Sequence, residues 1–124
     1  MSSRRLVALI VSLAGAFLTS AHAEPPAKMV GGRLVDSNGM TLYVFDRDVP
    51  GSGKSACSNA CPAIWPPAAA AAGAKPEGDF GIITRDDGVK QWAYKGRPLY
   101  RHNFDKKPGE LNGDNEGNLW HVVK

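Results

Sequence analysis

Short runs of apolar residues separated by turn residues dominate the chain after residue 28. Glycine-containing turns such as Asn38-Gly39 and Asp87-Gly88 separate the runs, and these pairs are strong short-range hairpin signals. No stretch has the periodicity of a convincing amphipathic helix. The pattern predicts an all-β domain, a small barrel or sandwich of about six short antiparallel strands. The expected strands are 29–35, 40–45, 80–84, 91–94, 98–102 and 119–123.

The run at 40–45 is apolar on both of its faces. Leu42 and Val44 point to one side of the expected strand, because side chains alternate along a strand. Tyr43 and Phe45 point to the other side. A strand of this kind is interior or lies under a covering loop. The Asn38-Gly39 pair before it predicts a type I′ turn, in which both central residues have a positive φ.

The chain begins with the features of a secretory signal peptide. Two arginines precede an apolar run at 6–18, and small residues lead to a cleavage site at Ala21-His22-Ala23. The run is shorter than the about 20 residues that a membrane-spanning helix needs. The predicted organisation is a signal peptide at 1–23, a disordered lead-in at 24–28 and a single all-β domain at 29–124.

Residues 48–79 break the strand pattern with frequent Pro and Gly. Cys57 and Cys61 are the only cysteines of the chain. After export to an oxidising compartment we expect a disulfide between them that pins this excursion as a loop, with room for one helical turn between the cysteines. The alanine run at 68–72 is bracketed by Pro67 and Gly73, so it is expected to be a linker with at most a turn or two of helix.

Charge excludes one class of partner. The full chain carries 15 Lys and Arg against 12 Asp and Glu, a formal net charge of +3. Two basic residues and no acidic ones lie in the predicted leader, so the mature chain carries 13 − 12 = +1. It lacks the clustered basic face that duplex DNA requires. We expect no nucleic-acid partner, no membrane span in the mature chain, and a periplasmic or secreted location.

Two segments of the chain resemble each other. Each begins with a Gly and continues with Leu-Tyr, a ring residue two positions after the Tyr, and an Asp five positions after it. A Pro-Gly pair follows in both segments. We expect an internal two-copy repeat, with copies at about 29–67 and 80–124. The corresponding residues are Tyr43, Phe45 and Asp48 in the first copy and Tyr100, His102 and Asp105 in the second.

These motifs resemble the secreted-repeat family of predicted bacterial lipoproteins, whose signature is Tyr-x-aromatic-x-x-Asp. The resemblance spans nearly the whole mature chain, in order. It implies an exported bacterial protein of unassigned function and supplies no established catalytic residues. Many members carry a lipid-anchoring Cys, which this leader lacks, and this favours a soluble periplasmic or secreted form. Beyond the repeated residues, the matching positions include Cys57, Cys61, Trp65, Trp92, Tyr94 and Trp120.

The Tyr and Asp of each copy are compatible with two roles. They can form a paired polar site, with one phenol and one carboxylate per copy, that binds a small ligand or cation. The sequence favours a structural role, in which the ring packs in the core with its hydroxyl bonded. In that role each Asp bonds backbone amides two residues on, in the turn after its strand.

The aromatic residues are the candidates for a ligand groove. Trp65, Trp92 and Trp120 can line such a groove with the tyrosines. In so small a domain the sequence favours them as the main filling of the core.

The cysteines and histidines offer weaker chemistry. A static disulfide is favoured over a reversible redox pair, because Lys54 is the only nearby cation in sequence that can lower a thiol pKa. His102 and His121 are weak candidates for a copper or haem site, together with a methionine, because none of them has a chelating spacing. No cofactor is predicted.

The sequence thus predicts an exported cell-envelope protein that acts as a non-enzymatic binding or structural module. A small molecule or another envelope protein is the expected partner. The alternative is a periplasmic redox or metal- or haem-associated protein that uses Cys57 and Cys61, or His102 and His121. No nucleophile motif supports an enzyme. Ligand identity and oligomeric state stay open.

Overall fold

A computed structural model describes residues 26–124, so the predicted signal peptide at 1–23 lies outside the described residues. The predicted all-β class is confirmed for these residues, because strands and turns dominate and the one α-helix among them, α1 (Cys61–Ile64), is a single turn. None of the helices in residues 26–124 has the length and apolar character needed to cross a bilayer. The strands are β1 (Ala27–Val30), β2 (Arg33–Asp36), β3 (Tyr43–Phe45), β4 (Phe80–Thr84), β5 (Lys90–Tyr94), β6 (Arg97–Pro98) and β7 (Trp120–Val122).

The seven strands form three small antiparallel sheets in a sandwich-like arrangement, not a closed barrel. β1 pairs with β2, β3 pairs with β7, and β5 lies between β4 and β6. The predicted sandwich is therefore confirmed and the alternative of a barrel is wrong. The run at 98–102 forms less strand than predicted, because only Arg97–Pro98 and an isolated bridge at Tyr100 are paired.

The N-terminal run at 29–35 is two strands and not the single predicted one. Gly31 and Gly32 reverse the chain between β1 and β2, with φ of +60° and +81°. Glycine adopts positive φ without a steric penalty, so it permits a hairpin inside an apolar run. Ala27 and Lys28 belong to β1, so the predicted lead-in at 24–28 ends too late.

The turn before β3 lies where the sequence predicts it but has a different type. Of the Asn38-Gly39 pair only Gly39 has a positive φ, +81°, whereas a type I′ turn needs two such residues. Asp36 Oδ1 accepts hydrogen bonds from the backbone N–H groups of Asn38 and Met40, at 2.9 and 3.0 Å. The aspartate therefore closes the turn.

The segment at 40–45 separates two hydrophobic clusters, as its two apolar faces predict. Leu42 and Val44 pack on one side with Leu34 and Leu99. On the other side of the segment, Tyr43 and Phe45 pack in an aromatic cluster with residues from both copies. The aromatic cluster consists of Tyr43, Phe45, Cys57, Trp65, Tyr100 and Trp120.

The alanine run is extended and paired beside β5 at Ala68 and Ala70, so the prediction of a linker is wrong, and the turn or two of helix that it allowed does not form. The Ala68 N–H donates to the Leu99 carbonyl at 2.9 Å, and the Ala68 carbonyl accepts from the Trp92 N–H at 2.8 Å. The Ala70 N–H donates to the Lys90 carbonyl at 2.9 Å. A helix of five residues would leave most of its backbone amides without a hydrogen-bond partner. In the extended conformation the run bonds the backbone of β5 and of Leu99 instead, so tertiary pairing overrides helix propensity.

The glycine that opens the repeated motif in each copy packs against the Pro-Gly pair of the other copy. A Cβ built on Gly39 would lie 3.3 Å from side-chain atoms of Pro108. A Cβ built on Gly96 would lie 2.9 Å from the backbone nitrogen of Gly51. The Gly51 N–H also donates to the Gly96 carbonyl at 2.9 Å. The two copies thus contact each other reciprocally at their turns.

Replacing Gly96 by Ala is expected to destabilise the fold more than replacing Gly32 by Ala. Both residues have a φ of +81°, so both substitutions carry the same left-handed penalty of about 1–2 kcal/mol. Only the Gly96 substitution also clashes with backbone, since nothing lies within 4 Å of a Cβ on Gly32. Urea unfolding of both variants measures the difference, and equal losses would contradict the close contact between the copies.

Candidate functional site

The two motif tyrosines form the centre of the molecule. The Tyr43 N–H donates to the Tyr100 carbonyl at 2.8 Å, and the Tyr100 N–H donates to the Tyr43 carbonyl at 2.9 Å. This antiparallel bridge joins equivalent residues of the two copies. Both side chains are 0% exposed. The motif residues therefore meet at the boundary between the copies, and each copy provides half of it.

The tyrosine hydroxyls bond the aspartates of the opposite copy. Tyr43 Oη donates to Asp105 Oδ2 at 2.6 Å, and Tyr100 Oη donates to Asp48 Oδ2 at 2.7 Å. The prediction that each buried phenol has a bonded hydroxyl agrees with this geometry. The phenol and the carboxylate that each copy contributes therefore bond across the boundary between the copies, and not to each other within one copy.

Each aspartate also holds a long loop of its own copy. Asp48 Oδ1 accepts from the backbone N–H of Ala56 at 2.6 Å, and Asp105 Oδ1 accepts from that of Asn112 at 3.0 Å. These amides lie eight and seven residues further along the chain. The expected bonds to amides two residues on are therefore wrong, because each carboxylate closes a wide loop and not a tight turn.

The environment of Asp48 contains a buried arginine that the sequence analysis missed. Arg85 Nη1 donates to Ser55 Oγ and to Gln91 Oε1, both at 2.8 Å, and Arg85 Nη2 donates to the Cys57 carbonyl. Ser55 Oγ and Tyr100 Oη are 2.6 Å apart. Since the Tyr100 proton goes to Asp48, Ser55 donates to the tyrosine oxygen. The network thus connects the disulfide loop to the centre.

One sequence signal could have located Arg85. It lies two residues after Ile83, and the period-2 alternation of a strand places both side chains on the same face. Ile83 is buried, and so is Arg85. A charged side chain on a buried face needs several acceptors, and here an amide, a hydroxyl and a carbonyl supply them.

The environment of Asp105 has the same plan without a cation. Asn112 Nδ2 donates to Asp105 Oδ1 at 2.9 Å, and the Gly113 N–H approaches Tyr43 Oη at 3.3 Å. A Cβ on Gly113 would collide with the Trp65 ring. Glycine is thus required where the backbone reaches the tyrosine. The two copies share this framework but differ in the group that donates a hydrogen bond to the tyrosine oxygen. This group is the Gly113 N–H for Tyr43 and the Ser55 hydroxyl for Tyr100.

Burial sets the protonation of these groups. Desolvation, and then the bonded carboxylates, raise the pKa of Tyr43 and of Tyr100 far above the ordinary value. Desolvation also raises the pKa of Asp48, although hydrogen bonds from Ala56 and Tyr100 and the charge of Arg85 oppose the shift. The phenols are therefore neutral donors at physiological pH, and their hydrogen-bonding capacity is used inside the fold.

The aromatic cluster repeats the same reciprocity. Trp65 and Trp120 stack with ring centroids 3.8 Å apart and planes 1° from parallel. Tyr43 meets Trp65 edge-on at 5.2 Å, and Tyr100 meets Trp120 edge-on at 5.1 Å. These four rings are in the core, so they do not line a groove. Phe45 also stacks on Trp120, at 4.1 Å.

The two histidines lie in different surroundings. His102 is buried against Trp65, and its Nε2 is 3.0 Å from Glu116 Oε2. His121 Nε2 is 2.7 Å from Asp46 Oδ2. Within residues 26–124, no group of three or more His, Cys, Asp or Glu side chains is arranged to hold a metal ion. Each histidine is engaged by its own carboxylate.

Cys57 and Cys61 form the predicted disulfide. Cys57 is fully buried and Cys61 is partly buried at the first position of α1. The predicted helical turn between the cysteines begins instead at the second cysteine. The Cys57 carbonyl accepts from Arg85, so the disulfide loop is anchored to the central network.

Trp92 and Tyr94 are the predicted rings that remain partly exposed and border concave surfaces. Trp92 lines a cavity of about 360 Å³ together with Leu42 and Leu99, and Asp36 and Arg101 contribute polar groups. Tyr94 lines a second, more open depression of about 310 Å³ next to β1 and β4. The Trp92 cavity is the better candidate for ligand contact, because it is the more enclosed of the two and combines apolar and polar groups in about equal measure.

Comparison with known proteins identifies the family. A family model described as a secreted repeat of unknown function matches the chain twice, over residues 28–69 and 81–124. The chain belongs to this family, which confirms the resemblance seen in the sequence. No curated protein and no solved structure matches the chain. The matched segments are the two copies whose tyrosines and aspartates pair across the centre.

A double-mutant cycle is expected to show that Tyr43 is coupled to Asp105 and not to Asp48. Tyr43→Phe removes a hydrogen bond to a buried carboxylate, which is expected to cost about 1.5–3 kcal/mol of unfolding free energy. Combined with Asp105→Asn the two losses should be non-additive, whereas with Asp48→Asn they should add within about 0.5 kcal/mol. Denaturant unfolding measures all five variants. Coupling to Asp48 would contradict the crossed pairing.

The fold is also expected to lose stability in alkaline solution. In the unfolded chain Tyr43 and Tyr100 ionise near the ordinary pKa of 10.0, whereas their raised pKa keeps them protonated in the fold. The unfolded state then binds fewer protons, so the free energy of unfolding falls as pH rises above about 10.

Urea unfolding across this pH range tests the expectation, with tyrosinate absorbance as a second readout. The Tyr43→Phe/Tyr100→Phe variant serves as the control, because it lacks both phenols. Its unfolding free energy should depend less on alkaline pH than that of the unmodified protein. An identical dependence in the two proteins would refute the assignment.

Proposed function

We propose that this member of the secreted-repeat family is an exported cell-envelope protein, periplasmic or secreted, that acts as a non-enzymatic binding module. The observation that carries the proposal is the crossed pairing of Tyr43 with Asp105 and of Tyr100 with Asp48. The family description is consistent with export. In this proposal the motif residues have a structural role, and a ligand contacts the partly exposed surfaces instead.

The geometry of the motif argues against a role in catalysis. A general acid or base must come within hydrogen-bonding distance of a substrate atom. Both tyrosines are fully buried, and Asp48 and Asp105 are only 6% and 4% exposed. Their oxygens already bond hydroxyls and backbone amides of this chain. A substrate would have to displace the bonds that join the two copies.

The Trp92 cavity supports a binding role. Its volume is about 360 Å³. Small-molecule sites have volumes of about 300–1,000 Å³, so this cavity lies near the lower end of that range. Its walls include Pro67 and Ala68, whose segment is fixed by backbone bonds to Leu99 and Trp92. A cavity with fixed walls binds a ligand without a large ordering cost.

The alternative function, a redox or metal- or haem-associated protein, has less support. The Cys57 sulfur is buried, so exchange would have to occur at Cys61. Arg85 donates to the Cys57 carbonyl and to the side chains of Ser55 and Gln91. His102 and His121 are engaged by Glu116 and Asp46. We propose that the disulfide is a static clip.

The redox behaviour of the disulfide separates the two functions. A static clip is expected to have a reduction potential below about −300 mV, whereas an exchange pair equilibrates near −200 mV or above. Titration of the protein in glutathione and dithiothreitol buffers, followed by thiol alkylation and mass measurement, gives the potential. Lys54→Gln should not change it. A potential in the exchange range would favour the redox alternative.

The binding role is tested on protein purified from periplasm without chelators or reductant. Native mass spectrometry is expected to show a small bound molecule that Trp92→Ala reduces, because Trp92 lines the cavity. A bound mass that disappears only when His102 and His121 are both replaced would instead identify a metal or haem site. Lys124→Gln, at the C-terminus, is the matched control and should retain the bound molecule.

A further inference from the structure

The apolar half of the Trp92 cavity lining comes from the hydrophobic cluster that contains Leu42 and Leu99, and polar groups make up the other half. Leu42 and Leu99 are each 1% exposed, and both border the cavity. Trp92 adds a partly buried aromatic ring, and Pro66 and Pro67 also line the cavity. An aromatic or alicyclic group fits such a lining, because burying apolar surface contributes about 25 cal/mol per Å².

Arg101 is the one cationic residue among the described residues that line the cavity. The Arg101 side chain is 40% exposed, and its Nε is 3.9 Å from Asp36 Oδ2, which is longer than a hydrogen bond. Among residues 26–124, no side chain or carbonyl accepts a hydrogen bond from the Arg101 guanidinium. A guanidinium presents its N–H donors in a fork that matches a carboxylate.

Asp36 limits the charge of the ligand. Its Oδ1 is held by the turn amides of Asn38 and Met40, so the carboxylate is fixed at the cavity. A ligand with two negative charges would be repelled by Asp36, whereas one charge can be placed on the far side of the Arg101 fork. Lys106 lies on a neighbouring cavity of about 270 Å³ that Arg101 also lines, and it adds positive charge there.

We infer that the Trp92 cavity binds a small amphipathic carboxylate with a single negative charge. Its apolar ring or chain lies against Trp92, Leu42 and Leu99, and its carboxylate accepts hydrogen bonds from Arg101. This inference rests on the proposed binding function and adds the chemical class of the ligand. It assigns Arg101, which the repeat motif does not contain, as the residue that determines specificity.

Three probes of nearly equal size test the inference on the full protein: 2-naphthoate, 2-naphthalenemethanol and 2-naphthylmethylamine. They share one apolar ring system and differ in charge. We expect 2-naphthoate to bind about 10-fold or more tightly than the alcohol, because a hydrogen bond to a charged group is stronger than a neutral one. The amine should bind least. Isothermal titration calorimetry measures all three affinities.

Matched variants locate the effect. Arg101→Gln should remove the preference for 2-naphthoate and leave the affinity for the alcohol unchanged. Arg97→Gln replaces an exposed arginine that does not line the cavity, so it should leave both affinities unchanged. Ala69→Leu fills the cavity from an exposed position and should weaken both probes without unfolding the protein.

The outcomes separate the two proposals. Equal binding of the alcohol and 2-naphthoate, or an Arg101→Gln variant that keeps the preference, overturns the carboxylate inference and leaves the binding role intact. Failure of every probe to bind the unmodified protein overturns both the inference and the proposed binding role of this cavity. Tighter binding of the amine would assign the specificity to Asp36 and overturn the role of Arg101.

Discussion

The fold depends on two hydrogen bonds that cross between the copies, from each buried tyrosine hydroxyl to the carboxylate of the other copy. A buried carboxylate is costly unless donors surround it, so each aspartate needs the opposite tyrosine and an amide of its own loop. The tyrosine hydroxyl and the aspartate carboxylate of one copy do not bond each other, so each copy depends on the other for these two groups. The crossed bonds thus determine which backbone segments meet and where the long loops close.

Other backbone segments also pair between the two copies. β3, from the first copy, pairs with β7 at the end of the second copy. The segment after Tyr100 bonds the end of the first copy, through the Arg101 N–H to the Pro66 carbonyl and the Asn103 N–H to the Ile64 carbonyl. Trp65 lies between Ile64 and Pro66 in one of these exchanged segments, Trp120 begins β7 in another, and the two rings stack on each other. The ligand specificity that we propose lies outside this framework, at Trp92 and Arg101.

Local features of the sequence predicted much of the fold and little of its pairing. The turn at Gly39, the two apolar faces of 40–45, the disulfide and the repeat depend on neighbouring residues, and they were predicted. The crossed Tyr–Asp pairs were not, because a repeat reads the same whether its copies pair internally or exchange. The period-2 alternation after Ile83 indicates the face on which Arg85 lies, but no local pattern contains its acceptors at Ser55 and Cys57 or the partners of the extended alanine run. For the same reason Trp92 could not be separated from Trp65 and Trp120.

The exchange of the final segments has a consequence for how the chain reaches its native state. The first copy lacks its partner strand until Trp120–Val122 is available, so an N-terminal half emerging from a ribosome or a translocation channel has no complete unit to fold. Contacts between residues distant in sequence also slow folding. We therefore expect a chain with this topology to complete its fold only after both β3 and β7 are available to pair. Such late closure suits a polypeptide that must pass through a membrane pore unfolded.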